Sequence, residues 1–223
     1  MAGKPSRVGP GTWLLRQAFS WLFVRPVITL VLGLKVRHRE RLPADGPAVL
    51  VANHNSHLDT LVLMSLLPYR MLPSVRPVAA ADYFLANPLV AWFSTRVIGI
   101  LPVDRGGAGV AGDPLAGAAD ALSEGEIVLI FPEGTRGEPE HLARMKTGVA
   151  HLAKRFPDVP VVPVFLHGLG KTLPRGSWLP VPFFVDVVVG EAMHGREDHH
   201  AFVADLEERI RTLGDEVYKA EWR

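Results

Sequence analysis

Ala48-Val49-Leu50-Val51-Ala52 is an unbroken apolar run that gives way at once to a polar stretch, Asn53-His54-Asn55-Ser56-His57-Leu58-Asp59. Five apolar residues without alternation suit a strand covered on both faces, since each pleat face must meet a hydrophobic neighbour. Such a strand needs helices on either side, and the chain supplies them by alternation. Leu58 to Leu67 reads as a helix stopped by Pro68. Val78-Ala79-Ala80 and Ile98 to Val103 read as strands, with a helix through Leu89–Thr95 between them. Asp113-Pro114 has the N-cap and N1 residues that a helix start favours and opens a helix over 113–123. A strand over Ile127–Phe131, a helix over 147–155, strands over Val161–Leu166 and Phe184–Val189, and a charged amphipathic helix over 199–219 complete the pattern. The alternation predicts a single α/β domain with a mainly parallel or mixed central sheet flanked by helices. No internal repeat, low-complexity segment or interdomain linker interrupts it.

A chain of 223 residues can bury the core such a domain needs. It is 48% hydrophobic with a mean hydropathy of +0.17, but its 21% charged residues exclude a multi-span membrane protein. The charge is unevenly spread. Residues 1–46 carry eight Lys and Arg against Glu40 and Asp45, whereas from Glu191 onward nine acids face five bases. A basic, apolar N-terminus suits an anionic membrane surface, where each basic side chain is worth roughly 1 kcal/mol. Nucleic acid is not an expected partner, because no basic–aromatic interleaving or reading motif occurs. The lack of cysteine excludes disulfides, thiolate metal sites and a thiol nucleophile, and it fits a reducing compartment.

The segment TWLLRQAFSWLFVRPVITLVLGLKV, residues 12–36, is the most apolar part of the chain and has no signal-peptide cleavage site before Lys35. Arg16, Gln17, Arg25 and Pro26 interrupt it, so the longest clean run, Val27 to Leu34, falls short of the roughly 20 residues of a spanning helix. Pro26 is expected to kink or split the helix. The pattern predicts two short amphipathic helices lying in the interface, with Trp13 and Trp21 at headgroup level. A helical hairpin packed on the protein's own core and a single span are the rival arrangements. Residues 1–34 are thus set apart as membrane-associating helices, and residues 35–223 as the α/β domain.

In α/β sheets chemistry gathers beyond the carboxyl ends of the strands. Three predicted strand ends are polar: Asn53–Asp59, Asp104-Arg105, and Pro132–Arg136. The first admits four readings. Ser56-His57-Leu58-Asp59 has the S-x-x-D form of a helix capping box, which accounts for Ser56 and Asp59 but not for His54. A metal site built on His54, His57 and Asp59 lacks recognisable further ligands among the scattered histidines. A serine hydrolase lacks the G-x-S-x-G elbow around Ser56 or any other serine. The fourth reading is a general-base dyad, in which Asp59 orients His54 and the imidazole takes a proton from a substrate hydroxyl. Such a base contributes ~10²- to 10⁴-fold and needs no protein nucleophile.

Phe131-Pro132-Glu133-Gly134-Thr135-Arg136-Gly137 follows a clear apolar strand, Arg105 follows Val103, and Lys146 precedes the helix that starts near Gly148. Each of these charges alone reads as ordinary surface. Together, Arg105, Arg136 and Lys146 could converge on a phosphate, to which arginine offers a bidentate fork.

Asn53-His54-Asn55-Ser56-His57-Leu58-Asp59 resembles the N-H-x-x-x-x-D box of the glycerolipid acyltransferases, the lysophosphatidic acid (1-acylglycerol-3-phosphate) acyltransferase family. Gly99-Ile100-Leu101-Pro102-Val103-Asp104-Arg105 resembles that family's second box, Phe131-Pro132-Glu133-Gly134-Thr135-Arg136 is a full match to its F-P-E-G-T-R box, and Val161-Val162-Pro163-Val164 resembles its fourth. The boxes stand in the family's order across roughly residues 35 to 190. The resemblance implies an acyltransferase that moves a fatty acyl group from acyl-CoA or acyl-carrier protein, as co-substrate, to a lysophospholipid hydroxyl. No other cofactor and no metal are implied. His54 becomes the base and Asp59 its partner; Arg105, Glu133, Gly134, Thr135 and Arg136 shape the acceptor's phosphate site, with Lys146 beside them. The implied setting is the cytoplasmic face of a membrane carrying anionic lipid. Other lysophospholipid or amino-acid lipid acceptors are the rivals within the class; a thioester hydrolase or a lipid-binding module is the rival outside it. Gly137 departs from the serine that many members carry, and Gly168–Pro182 has no counterpart among the boxes.

Overall fold

A computed structural model describes residues 9–56, 58–84, 87–103, 113–134, 143–172 and 183–221. The chain begins with α1 (Pro10–Phe19), a π-helical turn at Ser20–Val24 and α2 (Arg25–Val31), then enters β1 (Leu32–Arg37). β2 (Ala48–Ala52) leads into α3 (Leu58–Leu66), and β3 (Val75–Ala80) into α4 (Ala81–Phe84) and α5 (Pro88–Trp92). A second π-helical turn at Phe93–Ile98 extends α5 before β4 (Leu101–Val103). α6 (Ala116–Ser123), β5 (Ile127–Ile130), α7 (Gly148–Arg155), β6 (Val161–His167), α8 (Leu169–Thr172), β7 (Phe183–Val189) and α9 (His199–Glu221) follow.

The strands form one mixed sheet in the order β1-β7-β6-β2-β5-β3-β4, antiparallel only between β6 and β7. Every residue of β2 is buried, as its unalternating sequence requires. Ala48, Leu50 and Ala52 face a layer that includes α2 and α3, while Val49 and Val51 face α6, α7 and α9. The predicted α/β class is therefore the observed one, a sheet between two helical layers.

The N-terminal helix is interrupted just before Pro26, where the π-turn separates α1 from α2; Pro26 occupies the first turn of α2, where a missing N–H is tolerated. The apolar run from Val27 does not stay helical, since Leu32 turns it into β1, paired in parallel with β7.

From α1 to Phe23 the amphipathic pattern is inverted. Arg16, Gln17 and Ser20 are buried, whereas Trp13, Leu14, Trp21, Leu22 and Phe23 are exposed, Leu22 by 69%. Arg16 donates from Nε to Arg96 O at 3.0 Å, from Nη1 to Pro73 O at 2.6 Å and from Nη2 to Thr95 O at 3.4 Å. Burial, followed by the charge of Arg76, lowers its pKa to about 10, so the guanidinium still carries its charge at neutral pH. Arg16 is thus a docking plug and is withdrawn from the basic surface counted in the sequence. Gly99 (φ +88°) makes room for it: a Cβ there would lie 2.8 Å from Arg16 Nη2. Arg16→Met is expected to lower unfolding free energy by about 3 kcal/mol, because it removes charged hydrogen bonds and strands buried carbonyls. Urea denaturation checks this, and an unchanged midpoint would remove Arg16 from the docking role.

Candidate active site

β2 and β5 are parallel neighbours, so the loops that follow them leave the sheet at the same edge, side by side. His54 stands two residues beyond β2, and Asp59 is the second residue of α3. The tight turn between strand and helix brings Asp59 Oδ2 to 2.9 Å from His54 Nδ1. The same oxygen accepts from the main-chain N–H of Asn55 at 2.6 Å and of Ser56 at 2.8 Å. A carboxylate oxygen serving two amide donors is an acceptor, so His54 Nδ1 carries the proton and donates it. Nε2 is left as the basic nitrogen, on a ring that lines a cavity.

Asp59 therefore makes both of the contacts the sequence suggested. Its bond from Ser56 N is the returning arm of the capping box, and Ser56 Oγ accepts from Leu58 N at 3.3 Å. Asp59 is fully buried, and its Oδ1 has no hydrogen-bond partner among the described residues. A buried carboxylate held by two amides and one imidazole is fixed in position, and its nearest charge partner is the ring it orients.

The β5 loop holds the imidazole from the other side. Phe131 stacks on His54 with ring centroids 4.3 Å apart and an interplanar angle of 22°. Glu133 Oε1 accepts from His54 N at 3.0 Å, and Oε2 accepts from Ala143 N at 3.4 Å. Burial raises the Glu133 pKa, while the two amide bonds act against that rise. Both oxygens of Glu133 face main-chain amides, so in the structure it braces the two loops against each other. Gly134 (φ +73°) carries no side chain where Lys146 crosses it; a Cβ would sit 2.6 Å from Lys146 Nζ. Lys146 lines the same cavity as His54, and its backbone N–H donates to Pro132 O at 2.9 Å.

Asn53 and Asn55 are site residues to which the sequence assigned no role. Asn53 extends the β2–β6 pairing with its side-chain amide: Nδ2 donates to Leu166 O at 2.9 Å and Oδ1 accepts from Leu166 N at 2.7 Å. Asn55 Nδ2 donates to the same carbonyl at 3.1 Å. Together they tie the turn that carries His54 to β6. An amide directly after a buried strand was the available signal, since a buried amide needs several partners.

Of the residues predicted for the site, the structure brings His54, Asp59, Glu133, Gly134 and Lys146 together. Arg105, Thr135 and Arg136 lie outside the described residues, as do His57, Gly137 and the stretch 173–182. Among the described residues no group of three or more His, Asp or Glu is placed to hold a metal ion.

The cavity has a volume of about 590 Å³, within the range of a small-molecule site. Its walls are mostly apolar: Phe19 from α1, Leu61 from α3, Val78 from β3, and Phe93, Ile98 and Ile100 around the second π-turn. Among the described residues, His54, Lys146 and Asp82 are its titratable lining residues. A proton acceptor and a cation share one apolar chamber, an arrangement suited to a substrate with a long hydrocarbon part, an ionisable head and a hydroxyl.

A family model described as acyltransferase matches residues 33–167. A chloroplastic 1-acyl-sn-glycerol-3-phosphate acyltransferase of Arabidopsis thaliana is 34% identical over 145 residues, which are 65% of this chain and 38% of the relative. The 1-acyl-sn-glycerol-3-phosphate acyltransferase of Pseudomonas aeruginosa is 30% identical over 191 residues, covering 84% of this chain and 70% of the relative. The fold is similar to the crystal structure of the 1-acyl-sn-glycerophosphate acyltransferase PlsC of Thermotoga maritima, with a TM-score of 0.70 and 23% identity, over 90% of this chain and 79% of that one. Sheet, helical layers and polar strand ends thus define an α/β protein of acyltransferase architecture. The chain belongs to the acyltransferase family. It matches less than half the length of the plant relatives.

Proposed function

We propose that the protein transfers a fatty acyl group from acyl-CoA or acyl-carrier protein to the free hydroxyl of 1-acylglycerol-3-phosphate, giving phosphatidic acid. The observation that carries this reading is the His54–Asp59 pair, set at 2.9 Å in the lining of an apolar chamber that also holds Lys146. His54 Nε2 accepts the hydroxyl proton as the acceptor oxygen attacks the thioester carbonyl. The resulting tetrahedral centre collapses with cleavage of the C–S bond, and the imidazolium returns its proton to the departing sulfur. Asp59 stabilises the imidazolium between these two transfers. The attacking oxygen belongs to the substrate, so no acyl-enzyme forms. Lys146 attracts the acceptor's phosphate, with Arg105, Thr135 and Arg136 assigned beside it by their match to the family boxes, while Glu133 and Gly134 hold the loop that carries this site.

The test is a mass-spectrometric product assay with purified protein, a panel of lysolipid acceptors and both donor types. Phosphatidic acid that appears only when donor and acceptor are both present supports the reading. Fatty acid released equally without acceptor would assign a hydrolase instead.

The same reading places the enzyme on the cytoplasmic face of a membrane. No described helix is long and apolar enough to cross one. The outward row of Trp13, Leu14, Trp21, Leu22 and Phe23, with Arg25 lying 4.5 Å over the Trp21 ring, suits a helix lying in an anionic interface. Replacing Trp21, Leu22 and Phe23 together by serine is expected to lower partitioning onto anionic vesicles at least ~100-fold, since each side chain forfeits roughly 1.5 kcal/mol or more of apolar burial. Vesicle sedimentation checks this, and undiminished binding refutes the interfacial helix. Truncating the segment would be a poorer test, because Val24, Ile28 and Leu32 belong to the core.

A further inference from the structure

A second cavity, of about 170 Å³, lies between the N-terminal helical segment and α3. Among the described residues every side chain lining it is apolar: Val24, Val27 and Ile28 on one side, Leu58 and Val62 on the other. Two residues, Phe19 and Leu61, line both this cavity and the larger one that contains His54. They form the partition between the two spaces. Phe23, 60% exposed on the outward face of the N-terminal segment, lies at the rim of the smaller cavity. Phe19 and Leu61 therefore stand between the outward apolar face and the chamber that holds the imidazole.

Building on the acyl-transfer reading, we propose that this smaller cavity is the seat of the acceptor's own acyl chain. The reaction must hold two hydrocarbon chains near one base, and the chain offers two apolar spaces that share a wall. A space with no polar lining group among the described residues accepts an unsubstituted hydrocarbon and would leave a headgroup unpaired. Its volume is below that of a whole-ligand site, so it takes part of a chain while the head lies with His54 and Lys146 in the neighbouring chamber. Its rim lies on the outward apolar face, the side from which a bilayer-borne lysolipid arrives. The donor's thioester comes from a soluble carrier and has the larger chamber for its chain. Phe19 and Leu61 keep the two chains apart.

Two measurements test the assignment. Val27 lines the smaller cavity and not the larger one, and is half-buried, so Val27→Trp is directed at the smaller space. The variant is expected to raise KM for palmitoyl-glycerol-3-phosphate about tenfold, the effect of withholding roughly two methylenes from an apolar site. KM for hexanoyl-glycerol-3-phosphate and for the donor should stay within about twofold. An equal rise for both acceptors, or a shifted donor chain-length preference with both acceptor KM values unchanged, would overturn the proposal. The second measurement needs no turnover. A 1-acylglycerol-3-phosphate with a diazirine at its chain end is irradiated on the wild-type protein, and the label is mapped by mass spectrometry. Label on Phe23, Val27, Ile28 or Leu32 supports the seat; label confined to Val78–Ala80 or Ile98–Val103 places the acceptor chain in the larger chamber and refutes it. Labelling of the smaller cavity by a protein that makes no phosphatidic acid would sink the acyl-transfer reading and leave this binding site standing.

Discussion

His54→Ala is expected to lower kcat for phosphatidic acid formation by ~10²- to 10⁴-fold, the usual contribution of a positioned base. The substitution spares most of the local framework. The bond from His54 N to Glu133 Oε1 is made by the main chain, and the amides of Asn55 and Ser56 still reach Asp59 Oδ2. What disappears is the ring itself, with its Nδ1 bond to Asp59 and its stacking on Phe131. Vesicle binding should therefore persist, because the outward residues of the N-terminal segment are untouched. A variant that keeps more than about a tenth of the wild-type rate would show that His54 is not the base.

Asp59→Asn is expected to cost up to ~10⁴-fold in kcat while the fold survives. An asparagine oxygen at the position of Oδ2 can still accept from Asn55 N and Ser56 N, so the helix start is kept. It carries no charge, however, and cannot support the imidazolium that forms when His54 takes a proton. Its amide nitrogen would also occupy the place of Oδ1, which has no partner among the described residues. Because base and orienting carboxylate act as one unit, the double variant should be no slower than His54→Ala alone. Additive losses would mean that Asp59 acts elsewhere than through His54. The expected double-mutant result separates catalytic pairing from simple helix capping, which a stability measurement on Asp59→Asn alone would leave mixed.

The parts of the site that could be read in advance are local ones. His54 and Asp59 are five residues apart around one strand-to-helix turn, so an apolar run followed by a polar cluster was enough to suggest that they meet. The larger sheet was equally readable, since β2, β5 and β6 are buried along their whole length and apolar but for His167 at the end of β6. Non-local pairings were not readable. β1 looked like the end of a membrane helix because nothing in Val27–Leu34 marks a break, and its partner β7 lies some 150 residues further along. Arg16 looked like a basic surface residue because the carbonyls that hold it belong to Pro73, Thr95 and Arg96. The predicted strand from Ile98 begins only at Leu101, since Ile98 closes the second π-turn and Gly99 adopts a positive φ to admit that same arginine. Glu133 entered the acceptor's phosphate site through the family resemblance; its contacts with the amides of His54 and Ala143 are non-local and could not be read from the sequence.

Direct attack by the acceptor hydroxyl is the centre of the mechanism, and rapid-quench analysis with a radiolabelled acyl donor tests it most directly. Wild-type protein mixed with donor alone should show no acylated protein, and label should enter phosphatidic acid only once 1-acylglycerol-3-phosphate is added. Acylated protein appearing in stoichiometric amount before product, and decaying as product forms, would contradict direct attack and require a protein nucleophile in place of a base.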